Sequence, residues 1–120
     1  MGFTATAALL THDVGLGPIG SSGWLTRPDA MDDEGRRNLP IADRAITELM
    51  EDYDEENPSR AWMTGRFRRV LSLLAAGSVD PYTMGPLVLH ASATTWAYSA
   101  TFYRNGEWVA KLRVDGTLTL

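Results

Sequence analysis

The chain contains no cysteine, only two histidines and a single lysine among its 120 residues. Without cysteine there is no disulfide framework, no thiolate metal ligand and no cysteine nucleophile. His12 and His90 stand far apart in the sequence, which leaves little basis for a histidine metal site. The lone lysine, Lys111, comes too late for a Walker A phosphate loop. These absences direct the prediction away from catalysis and from a resident cofactor or metal.

Long apolar runs are also missing, since no stretch approaches the roughly 18 residues of a membrane-crossing helix. No basic residue precedes the apolar N-terminal stretch, so we expect no secretory signal and a cytoplasmic location. The composition, 44% hydrophobic and 22% charged, is typical of a globular protein, and the length predicts one domain over residues 1–120. Ten arginines against one lysine are typical of a GC-rich bacterium or its phages.

Charge is distributed unevenly along a chain whose formal net charge is −4. Residues 28–57 hold eleven acidic residues and three arginines, whereas residues 58–77 hold four arginines and no acidic residue. We expect this basic segment to pair with the neighbouring acidic helix. The densest cluster of carboxylates, called the acidic group below, comprises Glu51, Asp52, Asp54, Glu55 and Glu56.

The acidic group has only a partial local explanation. Glu55 and Glu56 precede a predicted helix, where negative charge is favourable, but Glu51 and Asp52 lie at a predicted helix C-terminus, where it is not. A calcium loop starting at Asp52 would need a glycine and a glutamate that the sequence lacks. The acidic group is therefore a candidate surface for a basic protein partner, beside the plainer interpretation of a solvated face.

Two helices are predicted between residues 26 and 53. The first is short and spans 26–35, with Thr26 as its N-cap and Gly35 as its stop. The second spans 40–53 and carries an apolar stripe at helical spacing. That stripe consists of Ala42, Ile46, Leu49, Met50 and Tyr53.

A third helix is predicted to begin with Asn57 as N-cap and Pro58 at its first position, and to end at Gly77. Because the link from the second helix is short, the two should pack as an antiparallel pair. The apolar stripe of the third helix consists of Met63, Phe67, Val70, Leu71 and Leu74.

The hydrophobic period changes to two beyond residue 87, which predicts strands over 94–103 and 107–113 and a last strand after residue 116, together a three-stranded meander. Residues 87–92 are predicted to add a further strand. The large apolar residues Trp96, Phe102 and Trp108 are all even-numbered. Three-residue bulged turns at 104–106 and 114–116 would keep these residues on one buried face, and they require positive φ at Gly106 and Gly116. A further strand is predicted over 3–11.

The predicted fold class is α+β: an antiparallel sheet with a C-terminal three-stranded meander and two main helices packed on one face. One core cluster should contain Trp96, Phe102, Trp108, Phe67 and Leu71. The outer face would be a flat floor of small residues from which Tyr103, Lys111 and Arg113 rise. It is a second candidate surface for a partner, although antiparallel sheets commonly have one solvated face.

The segment Gly15–Gly20 matches the G-x-G-x-x-G pattern of dinucleotide sites. No helix and no βαβ unit follow it, so a flexible loop is the simpler interpretation. His12 followed by Asp13, with serines at 21 and 22, is the other catalytic candidate, but it lacks the G-x-S-x-G elbow.

The sequence therefore favours a small non-enzymatic protein-binding module. The classes it fits are inhibitor and immunity-type proteins, of the anti-CRISPR or toxin-neutralising kind, acting through charged surfaces. The alternative is a small-ligand protein or enzyme that uses the Gly15–Gly20 loop and His12. A net negative charge argues against nucleic acid as the main partner, and neither cofactor nor metal is expected.

Overall fold

The computed structural model describes residues 23–52 and 59–117, which form two helices and a five-stranded antiparallel sheet. The elements are β1 (Gly23–Thr26), α1 (Asp33–Asp52), α2 (Arg60–Ala75), β2 (Tyr82–Met84), β3 (Val88–Ala91), β4 (Thr95–Arg104) and β5 (Glu107–Thr117). The sheet order is β1-β5-β4-β2, and β3 pairs with β4 on the side where β2 pairs. The α+β class is confirmed, and β4 and β5 form a meander-like C-terminal arrangement. The last strand predicted for the meander, after residue 116, falls mostly outside the described residues.

Helix α1 is longer than predicted and begins at Asp33. The predicted helix over 26–35 is wrong, because only a 3-10 turn at Pro28–Ala30 precedes α1 and Gly35 lies within its first turn. The helix continues through the exposed Pro40, which costs the hydrogen bond that a backbone N–H would donate there. Tertiary packing of the buried Ala42 and Ile46 outweighs that loss.

Helix α2 runs antiparallel to α1, as predicted. The side-chain amide nitrogen (Nδ2) of Asn38, near the start of α1, donates to the backbone carbonyls of Leu74 and Ala76 at the end of α2 (3.2 and 2.6 Å). These bonds satisfy carbonyls that a helix end leaves without internal partners. Gly77 follows with φ of 77°, which confirms the predicted helix stop.

The N-terminus of α2 differs from the prediction. Ser59 is the N-cap, and its hydroxyl accepts from the Trp62 amide at 3.1 Å, whereas a cap at Asn57 was predicted. Asn57 itself lies outside the described residues, as do the strand predicted over 3–11 and the loop that follows it.

One hydrophobic core lies between the helices and the sheet. The predicted stripe of α2 is confirmed, since Met63, Phe67, Val70 and Leu74 are buried and Leu71 packs against them. Trp24 of β1 is 1% exposed and lies with its ring centroid 5.8 Å from that of Phe102. No helix within the described parts of the chain is long and apolar enough to cross a membrane.

The β4–β5 hairpin turns through two residues, Asn105 and Gly106, with φ of 52° and 80°. Arg104 therefore pairs with Glu107, and the predicted three-residue loop is wrong, although the positive φ of Gly106 is confirmed. The register changes one pair later, because Val109 is an extra residue in β5.

This extra residue is a β-bulge, and it places the Trp108 side chain on the sheet face opposite to the one that strict alternation along β5 would give. Tyr103 pairs with Trp108 and Phe102 pairs with Ala110, while Val109 and Ala110 both belong to the core. Trp108 consequently lies on the sheet face opposite to that of Trp96. The prediction that both tryptophans share one cluster is wrong, although Trp96, Phe102 and Phe67 are buried there as expected.

The second predicted turn, over 114–116, does not form because β5 continues to Thr117. Gly116 pairs with Trp96 in this strand, and it is not among the described glycines with positive φ. A Cβ added to Gly116 would approach Trp96 Cζ2 to 2.6 Å. The glycine is therefore needed for the indole to pack on the strand and not for a turn.

Candidate functional site

The outer face of the sheet, on the side away from the helices, is buried in its middle. Ala97 pairs with Asp115 and Ser99 pairs with Arg113, and these small residues leave space for the two charged side chains. Arg113 Nη2 lies 3.5 Å from Asp115 Oδ2, and the two residues are only 3% and 4% exposed. The expectation that Arg113 rises from the sheet as an exposed cation is therefore wrong.

The end of the outer face near the hairpin has a different character, because the bulge directs Trp108 there. The Arg27 guanidinium carbon lies 4.8 Å from the Trp108 ring centroid, and the Lys111 ammonium lies 5.1 Å from it. Tyr103 is the cross-strand neighbour of Trp108. We call these four half-buried residues, Arg27, Tyr103, Trp108 and Lys111, the outer-face patch.

Arg27 reaches the patch because β1 pairs with the edge of β5. The Arg27 backbone amide donates to the Val109 carbonyl at 2.7 Å. Its guanidinium donates to the Trp108 carbonyl at 3.2 Å and to a Glu107 carboxylate oxygen at 3.0 Å. Three bonds to consecutive residues of β5 thus hold this cation beside the indole.

The chemistry of the outer-face patch is that of recognition. Cations positioned over an indole are attracted by the negative face of its π system. Tryptophan, tyrosine and arginine are the residue types that most often contribute the largest share of binding energy at protein interfaces. Tyr103 and Lys111 were predicted from their odd positions, whereas Arg27 and Trp108 were missed.

A second polar cluster holds four parts of the fold together. The Asp32 carboxylate accepts hydrogen bonds from the Tyr82 hydroxyl (2.6 Å), the Gly35 amide (2.9 Å) and the Ser78 hydroxyl. Arg104 donates twice to Asp80 Oδ2, at 2.9 and 2.6 Å. This cluster ties the start of α1 to the α2–β2 link and to both β2 and β4.

The pKa values in this cluster show stable charge states. Burial alone would raise the pKa of Asp32, but the bonds from Ser78, Tyr82 and Gly35, together with Arg104, lower it to about 2. Burial and the bond to Asp32 raise the pKa of Tyr82 to about 12. At neutral pH the Asp32 carboxylate is therefore ionised and the Tyr82 phenol is neutral, and neither group titrates. We interpret the cluster as structural, because both charge states favour its hydrogen bonds. An N-cap at Asp32, before two further acids, was the missed sequence signal.

The other predicted site residues lie beyond what the structure describes. Asp54, Glu55 and Glu56 fall between the described ranges, and the side chains of Glu51 and Asp52 are not described. His12 and the Gly15–Gly20 loop precede residue 23. Among described residues no three histidine, aspartate or glutamate side chains cluster as metal ligands would. Comparison with protein-family models, curated proteins and solved structures found no match.

Proposed function

We propose that this protein is a non-enzymatic, cytoplasmic protein-binding module that contacts its partner through the outer-face patch. The observation that carries the proposal is Trp108, which the bulge turns away from the core to lie beside Arg27 and Lys111. A tryptophan that fills no core position leaves its ring edge available to a partner. Arg27 is already paired with Glu107, so Lys111, which has no ion pair with a described carboxylate, would bind a carboxylate of the partner.

The narrower proposal is that binding inhibits or neutralises the partner, as anti-CRISPR and toxin-neutralising proteins do. It is supported by the small size of the chain and by its strongly segregated charge. The acidic group of Glu51, Asp52, Asp54, Glu55 and Glu56 would provide a second contact, directed at a basic region of the same partner.

Site-specific photo-crosslinking tests the outer-face patch. A photoreactive amino acid replaces Lys111 in one protein and Arg44, an exposed residue of α1, in a control protein. Both proteins are irradiated in a lysate of the organism that encodes the chain. We expect one protein to crosslink from position 111 and not from position 44.

Calorimetry with the crosslinked protein then measures the contribution of the indole. Trp108→Ala should weaken binding by about 30-fold, the usual effect of a dominant interface residue. Arg44→Ala, an exposed position of α1 away from the outer face, should change affinity less than twofold. If Trp108→Ala keeps its fold by circular dichroism and its affinity is unchanged, the patch is not the interface.

The same titration tests the acidic group. Charge reversal of Glu51 and Asp52 to lysine should weaken binding at low salt and flatten its salt dependence, since complementary charges mainly steer association. Unchanged affinity at low salt would remove these carboxylates from the interface. The inhibitor proposal requires the partner's own activity to fall as this protein is added at stoichiometric concentration.

A further inference from the structure

The edge of the sheet opposite β1 is formed by β2 and by the largely apolar strand β3. β2 and β3 both pair with β4, and residues 85–87 form an irregular step between them. Within the described parts of the chain, β3 pairs with β4 alone. Val88 and Leu89 are 43% and 45% exposed, and β3 has none of the charged residues or prolines that normally protect an edge strand.

A groove lined by arginines adjoins this strand. It measures about 520 Å³ and lies between α2 and the 82–87 segment. Arg60, Thr64 and Arg68 line it from one side of α2, spaced four residues apart, while Gly85 and Leu87 line the facing wall. The Arg60 guanidinium donates to the Leu87 carbonyl, one residue before β3 begins. The groove therefore adjoins the start of β3.

The expected pairing of the α2 arginines with the acidic helix is not seen among the carboxylates that the structure describes, and the side chains of Glu51 and Asp52 lie outside that description. Neither Arg60 nor Arg68 forms an ion pair with any carboxylate whose position is described. Five other arginines, Arg27, Arg36, Arg37, Arg104 and Arg113, each have such a partner. Two guanidinium groups that face a groove without a described carboxylate partner match an anionic ligand.

We propose that β3 and the arginine groove together bind an extended acidic segment of another protein. The segment adds a strand beside β3, so its backbone supplies the hydrogen bonds. Val88 pairs with Ser99 and Leu89 pairs with the core residue Tyr98, so the two side chains lie on opposite faces of the sheet. The apolar side chains of the segment contact Val88 on the outer face, and its carboxylates reach Arg60 and Arg68 on the helix side.

Tyr103 of the outer-face patch lies close to Gly85 in the groove wall. Trp108 and Lys111, however, belong to β5, and Arg27 lies on the β1 side of the sheet, so this site does not depend on Trp108.

Fluorescence anisotropy tests the charge requirement with a labelled ten-residue peptide that alternates glutamate and valine. The full chain should bind this peptide, and Arg68→Gln should weaken binding by about fivefold, the upper range for one exposed ion pair. Arg69→Gln is the matched control, because Arg69 is the next residue of α2 and does not line the groove. Equal loss in both variants, or no binding to the wild type, would overturn the proposal.

Backbone pairing and ligand class are tested separately. Methylation of alternate peptide nitrogens on one strand edge should abolish binding, whereas simple ionic attraction would leave it unchanged and contradict strand addition. A single-stranded oligonucleotide of equal charge should bind more weakly. If it binds as tightly and shows the same dependence on Arg68, the assignment to a peptide is wrong. Trp108→Ala should leave peptide binding intact, which separates this site from the outer-face patch.

Discussion

At the scale of single residues, Asp32 connects the start of α1 to the α2–β2 link and to β2. Its carboxylate accepts hydrogen bonds from the hydroxyls of Tyr82 and Ser78, which are distant in sequence, and from the nearby Gly35 backbone amide. Because these donors stabilise the ionised form, the pKa of Asp32 is about 2, below its ordinary value of 3.8. One charged group therefore links stability to pH on the acid side.

Asp32→Asn should lower the free energy of unfolding at pH 7 by about 2 kcal/mol, the usual contribution of hydrogen bonds to a charged group. Because the pKa of Asp32 is lower in the folded state, its contribution is present above about pH 4 and disappears as pH falls towards 2. Urea unfolding at several pH values should show the gap between variant and wild type closing over this range.

The control for that experiment is Asp33→Asn, since Asp33 is exposed and pairs only with Arg36 one turn away. This variant should differ from the wild type by less than about 0.5 kcal/mol, as exposed ion pairs contribute little. A gap for Asp32→Asn that stays constant from pH 7 to pH 2 would show that the carboxylate is not ionised in the folded protein.

At the scale of elements, two glycines in the helices have opposite surroundings. Gly65 lies in the exposed middle of α2, and a Cβ there would meet nothing within 4 Å. Gly35 lies in the first turn of α1, where a Cβ would overlap the Tyr82 hydroxyl. The first glycine weakens its helix, and the second permits the bond between Tyr82 and Asp32.

Gly65→Ala should therefore raise the free energy of unfolding by about 0.8 kcal/mol, the difference in helix propensity. Gly35→Ala should lower it by about 2 kcal/mol through overpacking and displacement of Tyr82. Chemical denaturation of both variants checks the signs. Effects of the same sign in both would contradict this account of the two positions.

The sequence predicts those elements whose periodicity agrees with their final environment. The stripe of α2, the stop at Gly77 and the strands β3 and β4 all follow from spacing alone. β1 was missed because it has four residues and is defined by pairing with β5, far away in the chain. The bulge at Val109 was missed because alternation cannot show where an extra residue enters. Without β1 the position of Arg27 could not be predicted, and without the bulge the outward position of Trp108 could not. These two residues are half of the outer-face patch.

At the scale of the whole molecule, helices and sheet share one core. Trp24 connects them directly, since its indole nitrogen donates to Asp43 of α1 at 3.0 Å while its ring lies against Phe102 of β4. The desolvation that accompanies this contact raises the pKa of Asp43, and the bond from Trp24 partly opposes that rise. Neither layer can lose its packing without exposing the other.

Unfolding should therefore occur in a single transition. Far-ultraviolet circular dichroism reports mainly on the helices. In a Trp62→Phe variant, which removes the tryptophan of α2, fluorescence reports on Trp24, Trp96 and Trp108 in the sheet. Thermal melts followed by both signals should have the same midpoint. Two separate midpoints would mean that the helix pair and the sheet unfold independently and would contradict the prediction of one domain.

The extra residue at Val109 also determines how this hairpin tolerates insertions and deletions. Removing one residue from the start of β5 would restore strict alternation and turn Trp108 towards the helices, leaving Arg27 and Lys111 without their ring. Removing two residues would instead leave each remaining side chain on its present face, because side chains alternate with a period of two. Viable length variants of this strand should thus differ in steps of two, with odd steps exchanging interior for surface.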